Sequence, residues 1–333
     1  MQLRIGVLCG SDDNPSQLRE AEIDVDVTGN CDALRLLRLL DPERFRISLC
    51  QISPNYLRQA LRWNFGKLDL VWNIISDVDD NPATLAVARK LLPEGTAPVV
   101  NLPAQVVRTR RHEIAERLQG IEGVRVPKVL LLRNPTLERM RLLTREADFR
   151  FPAIVRRTGA HTGEVVGVFD SPEAVEGVYG DRRTEYYVTE YVDVRRPDGL
   201  YRKTRFFFIG EEAIVRQHIV HDDWNIHGGS SREFMGAHEA LLEESRRMLV
   251  DGFDALPAAT REAVQAVRRR IGLDYFGLDA YLDEDGGLVV FECNATMNFN
   301  PAFRNPKTQH NRAALPRAMG AIERLILTKT GAG

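Results

Sequence analysis

Cysteine is scarce in this chain: of 333 residues only Cys9, Cys31, Cys50 and Cys293 are cysteines, and they are dispersed. With no CxxC and no Cys/His spacing, neither a zinc site nor a disulfide framework has support, and a reducing compartment is expected. Long apolar runs are missing too. No uncharged stretch reaches the roughly 18 residues of a membrane span. The apolar run that follows Met1-Gln2-Leu3-Arg4 and ends at Cys9 is too short for the core of a signal peptide. A cytoplasmic protein without a membrane partner is the expectation. Nor is there an excess of one charge: 45 Lys and Arg face 47 Asp and Glu, a formal net charge of -2, so nucleic acid is not an expected partner. There is no internal repeat, no low-complexity tract and no GxGxxG after the first apolar strand. A dinucleotide site is therefore unsupported.

What is present suits a multi-lobed enzyme, since 333 residues exceed one small core. Residues 3–8 are a buried-strand run, and 33–40 carry apolar positions at helical spacing until Asp41-Pro42. Residues 68–75 and 99–100 read as further strands, with a helix over 83–92 between them. This alternation predicts an open, mainly parallel α/β sheet with ligands at its carboxyl edge. That Rossmann-like lobe is expected over 1–103. A small α+β lobe is expected over 104–187: a basic helix at 107–118, an apolar run at 124–132, a strand at 152–157, a glycine-containing loop through Gly163, and a strand at 165–169. A larger α+β lobe follows over 188–333. At its entrance a strand pair is expected (186–191 with 203–209), then a polar loop at 218–232, helices around Ala240 and Ala263, and a hairpin over 275–294.

The hairpin carries the sharpest signal. Asp285-Gly286 is a favoured two-residue turn; with those two as the loop, Tyr281 faces Val290 and Asp279 faces Glu292. Alternation then puts Leu278, Ala280 and Leu282 on the core face with Val289, Phe291 and Cys293, and leaves Asp279, Glu292 and Asn294 on the other. Directly opposed carboxylates, with Cβ atoms about 5 Å apart, repel. A hard divalent cation offsets that repulsion, and two carboxylates plus an amide oxygen suit Mg²⁺ that retains waters and nucleotide phosphates. The alternative is a solvated sheet face with both acids in water.

The pattern Gly277-Leu278-Asp279 to Phe291-Glu292-Cys293-Asn294 resembles the metal-binding end of the ATP-grasp superfamily, especially its D-alanine:D-alanine ligase and ribosomal-protein glutamate ligase branches. Those relatives place a Glu thirteen residues after the Asp and an Asn two beyond. The likeness covers most of the chain in lobe order, and this hairpin is its specific part. It implies an ATP-grasp fold in which two α+β lobes clamp ATP. It also implies two Mg²⁺ ions, replaceable by Mn²⁺, with Glu292 bridging both, Asp279 on one and Asn294 on the other.

The same resemblance implies a triphosphate clamp from Arg110 or Arg111 together with Arg156, at places where the family often has Lys. Arg keeps the charge and adds bidentate phosphate binding. The run from Thr158 and Gly159 through His161 to Gly163 resembles the phosphate-covering lid loop, where glycines let N–H groups approach oxygens; for His161 a solvated loop position is the alternative. Val188 to Val192 resembles the hinge strand that meets the adenine amino edge, with Glu190 as the leading residue and Tyr191 and Val192 supplying main chain. An ordinary amphipathic strand with Glu190 outward is the other reading. Arg205 and the loop containing Asn225 and His227 take the place where relatives contact the γ-phosphate and the acyl intermediate, so Arg205 and Arg156 are the catalytic candidates.

Two places depart or stay open. Where relatives have a Ser-Pro-Gly turn, this chain has Ala295-Thr296-Met297-Asn298-Phe299-Asn300-Pro301. Asp77, Asp79, Asp80 and Asn81 either face substrate or cap a helix. The activity implied is an ATP-dependent carboxylate–amine ligase that passes through an acyl phosphate and releases ADP and phosphate. Its substrates would be a small carboxylate and an amine, such as an amino acid or peptide, with homodimer assembly left open. The alternatives are an ATP-grasp phosphotransferase and a nucleotide-binding regulatory protein with little turnover.

Overall fold

The computed structural model describes residues 2–13, 29–60, 62–93, 98–160, 165–301 and 310–332. Strands β1 (Leu3–Gly10), β2 (Phe45–Ile52), β3 (Leu70–Asn73) and β4 (Val99–Val100) form a parallel sheet in the order β2-β1-β3-β4. Both faces are covered, as a parallel sheet requires. Ile5, Val7 and Trp72 pack with the helix Ala33–Leu37 and the last helix, Ala314–Thr330. Leu8, Cys50 and Val71 pack on the other side with the helix Pro82–Leu91. Strand β2 and the last helix are additions to the sequence reading. The helix was legible, since its buried Ala314, Ala318, Ala321, Ile322 and Leu325 recur at helical spacing before Gly331 ends it at φ 66.

Two more sheets interleave along the chain. β5 (Val124–Arg125) belongs to the larger; β6 (Val129–Leu132), β7 (Ala153–Arg157), β8 (Gly167–Phe169) and β9 (Tyr186–Glu190) make the smaller, antiparallel in the order β6-β9-β7-β8. β10 (Tyr201–Ile209), β11 (Glu212–His221), β12 (Tyr275–Leu282) and β13 (Leu288–Asn294) complete the larger sheet, ordered β11-β10-β12-β13-β5. Consecutive phenylalanines of β10 feed opposite cores: Phe206 and Phe208 point into one cluster and Phe207 into the other. Around these phenylalanines the larger sheet is buried on both faces. The mixture of α/β and α+β expected from the sequence is the architecture present.

Several local expectations need correction. The run 124–132 is not one strand: Pro127, which has no N–H for a ladder, separates β5 from β6, and the two join different sheets. β9 pairs with β6 and β7 and not with β10. In place of a helix over 107–118 there are two, Pro103–Val106 and Arg111–Arg117, with Arg110 extended between them at ψ 144. Residues 218–221 finish β11, and Gly228 and Gly229 open the helix Gly228–Gly236 instead of lying in a loop.

Candidate functional site

The hairpin brings the two carboxylates together by a different route from the one expected. Asp283 and Gly287 close its turn, with the Asp283 N–H donating to the Gly287 carbonyl at 3.0 Å and Gly286 at φ 88. The loop is therefore longer than Asp285-Gly286, and Tyr281 pairs with Val289 in place of Val290. A bulge at Phe291 then restores the register, because Ala280 pairs with Val290 while Asp279 pairs with Glu292. The core face is corrected accordingly. Val290 and Cys293 lie with Leu278 and Ala280, whereas Val289 and Phe291 pack with Tyr281 and Trp224.

The repulsion between Asp279 and Glu292 is offset by protein cations, contrary to the expectation that a metal must do it. Arg205 sits opposite Asp279 on β10 and holds it with two bonds, Nε–Oδ1 at 2.7 Å and Nη2–Oδ2 at 2.9 Å. Lys203 Nζ adds a contact at 3.3 Å. Arg111 donates to Glu292 Oε1, which also accepts from Asn294 Nδ2 at 2.9 Å. Burial alone would raise the Asp279 carboxyl, but Arg205 and Lys203 outweigh it and hold the group at about 2. Glu292 is lowered in the same way, with burial opposed by Arg111 and Arg156. Burial and the neighbouring Arg111 push Arg156 down to about 10, and its Nε is buried without a hydrogen-bond partner.

These depressed carboxyls imply an acid limb of stability. A third, Glu244, is half-buried and held at about 2 by His218 and Arg202. A carboxylate with a lowered folded pKa contributes fully above its unfolded value, about 4, and loses that contribution as the pH falls toward the folded value. Thermal midpoints should be level near pH 5 and fall steadily between about pH 4 and about pH 2. A midpoint unchanged across that window would refute the pairing.

For a metal, Asp279 and Glu292 offer two opposed carboxylates at a cavity wall, the oxygen chemistry that suits Mg²⁺; both Asp279 oxygens already accept from Arg205 and Lys203, so of the two Glu292 would meet an ion more directly. Among the described residues, no group of three or more His, Cys, Asp or Glu gathers as a metal site. Asn294 fits less directly. Its Oδ1 accepts the N–H groups of Thr296 at 3.0 Å and Met297 at 2.9 Å, so it meets a metal only by turning its amide or opening that turn.

Both carboxylates line a cavity of about 970 Å³, as do Arg111, Arg156, Lys203 and Arg205. Lys203 is a site residue that the sequence reading passed over, although it shares a strand face with Arg205 two positions on. Glu190, Tyr191, Val192, Asn225 and His227 line the same cavity. The Glu190 carboxylate accepts the backbone N–H groups of Lys128 at 3.1 Å and Arg150 at 2.9 Å, which ties the hinge strand to its neighbours. The Tyr191 ring meets Trp224 edge-on at 5.8 Å.

A smaller compartment of about 80 Å³ adjoins this cavity through Arg111, Arg156 and Glu292 and reaches the first lobe at Asp77 and Asp79. Arg110 belongs to this side. Its Nε lies 2.9 Å from Asp79 Oδ1, while Asp79 Oδ2 accepts the Tyr187 hydroxyl at 2.7 Å. Asp77 accepts the N–H groups of Asp79 and Asp80 at 2.8 and 2.9 Å within the turn, but the helix Pro82–Leu91 is capped from elsewhere, by Asp12, which accepts from Ala83 at 2.9 Å and Thr84 at 2.7 Å. The Thr158 N–H donates to the Glu185 carbonyl at 3.0 Å. Gly159 has φ 72, in the left-handed region that favours glycine. His161, Thr162 and Gly163 lie outside the described residues.

No protein-family profile matches the chain, and no curated protein does. Solved structures do match over its whole length. A D-alanine–D-alanine ligase from Bacillus anthracis, complexed with ATP, is 14% identical with a TM-score of 0.56, covering 99% of each chain. An ATP-grasp RimK domain protein from Sphaerobacter thermophilus is 15% identical with a TM-score of 0.51, covering 97% of this chain and 99% of its own. The VanG D-Ala:D-Ser ligase of Enterococcus faecalis is 13% identical with a TM-score of 0.54, over 97% and 99%. The chain has the ATP-grasp fold from end to end.

Proposed function

We propose that this protein is an ATP-dependent ligase that activates a carboxylate as an acyl phosphate and joins it to an amine. The observation that carries the reading is the facing pair Asp279 and Glu292, set among four cations at the wall of a cavity large enough for a nucleotide and a substrate together. The solved ligases that share the fold, one of them complexed with ATP, support it. Adenine would lie along the hinge, with main chain of Glu190 to Val192 at its edge and the Tyr191 and Trp224 rings nearby. Arg111 and Arg156 would bind the phosphates. Mg²⁺, held by Asp279 and Glu292 with Asn294 as a further donor, would neutralise charge on the β and γ phosphates. Arg205 would stabilise the transferring phosphoryl group, and the amine would then attack the activated carbonyl. Positioning and charge stabilisation do the catalytic work, and no enzyme nucleophile is needed.

A screen of ATP consumption against amino acids and dipeptides, read by product mass, should identify the acid and the amine. With that pair, oxygen-18 placed in the substrate carboxylate should appear in the released phosphate, because that oxygen bridges the acyl phosphate. ADP should be the other product. A stable phosphorylated product would favour a phosphotransferase, and AMP with pyrophosphate would sink the proposal.

A further inference from the structure

The small sheet β6-β9-β7-β8 carries its own core. Leu132, Met140, Val155, Tyr186 and Val188 pack together, and among the described residues none from the first lobe joins that cluster. The two clusters that serve the first lobe take nothing from β6 to β9 either. Bodies without a shared apolar core move against each other readily unless polar contacts join them. Polar contacts do join these two, and they meet at Asp79. Lying in the turn after β3, Asp79 accepts the hydroxyl of Tyr187, on β9, at 2.7 Å and pairs with Arg110 Nε at 2.9 Å. Arg110 extends the link: its Nη2 lies 3.6 Å from Glu185 Oε2 at the head of the same strand, and Glu185 Oε1 meets Arg133 Nε at 3.0 Å. The Tyr187 ring stands 6.0 Å from that of His112, at the start of the helix Arg111–Arg117.

These groups are withdrawn from water without being sealed off: side-chain exposure is 15% for Asp79, 21% for Arg110 and 29% for Glu185. Burial pushes the Asp79 carboxyl up, against the pull of Tyr187 and Arg110, so the charge is held at a cost and the contact has little stability in reserve. A contact that is specific in geometry and weak in net energy suits a latch that opens and recloses. Its place fits as well. The compartment of about 80 Å³ runs between Ser76 to Asp79 on one side and Arg156, Gly159 and Tyr187 on the other, and it adjoins the larger cavity at Arg111, Arg156 and Glu292. Asp79 therefore spans the cleft next to the two arginines proposed for the phosphates, while its own partners are Tyr187 and Arg110.

We propose that Asp79 is a latch that fastens the first lobe to the small sheet and sets how fast the cleft opens for nucleotide exchange. The proposal rests on the nucleotide reading of the large cavity and not on the ligase chemistry. The latch is made of protein atoms alone, so it closes the cleft with or without nucleotide, and loosening it speeds entry and exit together. It is tested by stopped-flow binding of the fluorescent analogue mant-ADP, with Mg²⁺, to the parent, Asp79→Asn and Tyr187→Phe. The second variant loses one hydroxyl and serves should the first fold poorly. We expect the association and dissociation rate constants of Asp79→Asn both to rise about tenfold, those of Tyr187→Phe about threefold, and Kd to stay within about twofold of the parent. A rise in dissociation alone, with Kd weakened in proportion, would put Asp79 in the binding site and overturn the latch, as would unchanged rates. If the parent binds no mant-ADP the nucleotide reading fails, while hydrogen exchange over residues 185–190 still decides whether Asp79 fastens the small sheet: about fivefold faster exchange in Asp79→Asn shows that it does, and equal exchange overturns it.

Discussion

Asp279→Asn should abolish turnover and destabilise the fold at the same time. The carboxylate is 2% exposed and neutralises both Arg205 and Lys203, so the amide would leave two cations facing each other beside Arg111 and Arg156. Removing one partner of a buried ion pair typically costs about 3–5 kcal/mol. Glu292→Gln should separate the two effects. Its side chain is 31% exposed, and an amide can still accept from Arg111, so the thermal midpoint should fall much less. Turnover should drop by about a hundredfold or more, because in the proposed ligase reaction the lost charge would face the transferring phosphates. Thermal unfolding and phosphate release measured on both variants decide this. Near-normal turnover in either would remove the pair from the active site, and equal destabilisation in both would show that the two carboxylates are not in distinct environments.

Arg156→Met is expected to move stability and function in opposite directions. The guanidinium has a buried Nε with no partner and stands close enough to Arg111 for the two charges to oppose each other. A side chain of similar length without charge removes that cost, and Glu292, though it loses the attraction of Arg156, keeps its bond from Arg111, so the thermal midpoint of the nucleotide-free protein should hold or rise. Affinity for Mg·AMP-PNP should fall by about tenfold to a hundredfold, since a charge-assisted phosphate contact is lost. A midpoint several degrees lower would mean that Arg156 is already satisfied without nucleotide. Unchanged affinity would take it out of the phosphate clamp.

The facing of Asp279 and Glu292 was legible in the sequence, yet by an argument that needed two compensating irregularities. A turn of Asp285-Gly286 alone gives the right opposition. The real turn is longer, and the bulge at Phe291 cancels the slip. Bulges leave no reliable mark in a single sequence, because the extra residue can be any residue that the packing on either face accepts. The same limit hid Arg216, the extra residue of a bulge in β11, which lines the 970 Å³ cavity. Lys203 was accessible by simple parity with Arg205, and the last helix by its apolar spacing; both were within reach of the pattern. Of the two adjacent arginines, the extended backbone at Arg110 turns one toward Asp79 and leaves Arg111 to the 970 Å³ cavity, a choice set by contacts distant in sequence.

Local chemistry is therefore what the chain alone determined: apolar periodicity, the acidic strand pair, and the basic and glycine-bearing segments at intervals that match a nucleotide-clamping fold. These depend on neighbours a few residues away, or on one short hairpin, where residue type and spacing carry the physics. Charge balance was decided only in three dimensions. Arg205 lies 74 residues from Asp279, Arg111 lies 181 from Glu292, and Tyr187 lies 108 from Asp79. Whether a buried carboxylate awaits a metal or already has an arginine depends on which distant strands become neighbours, and the packing of the sheets settles that.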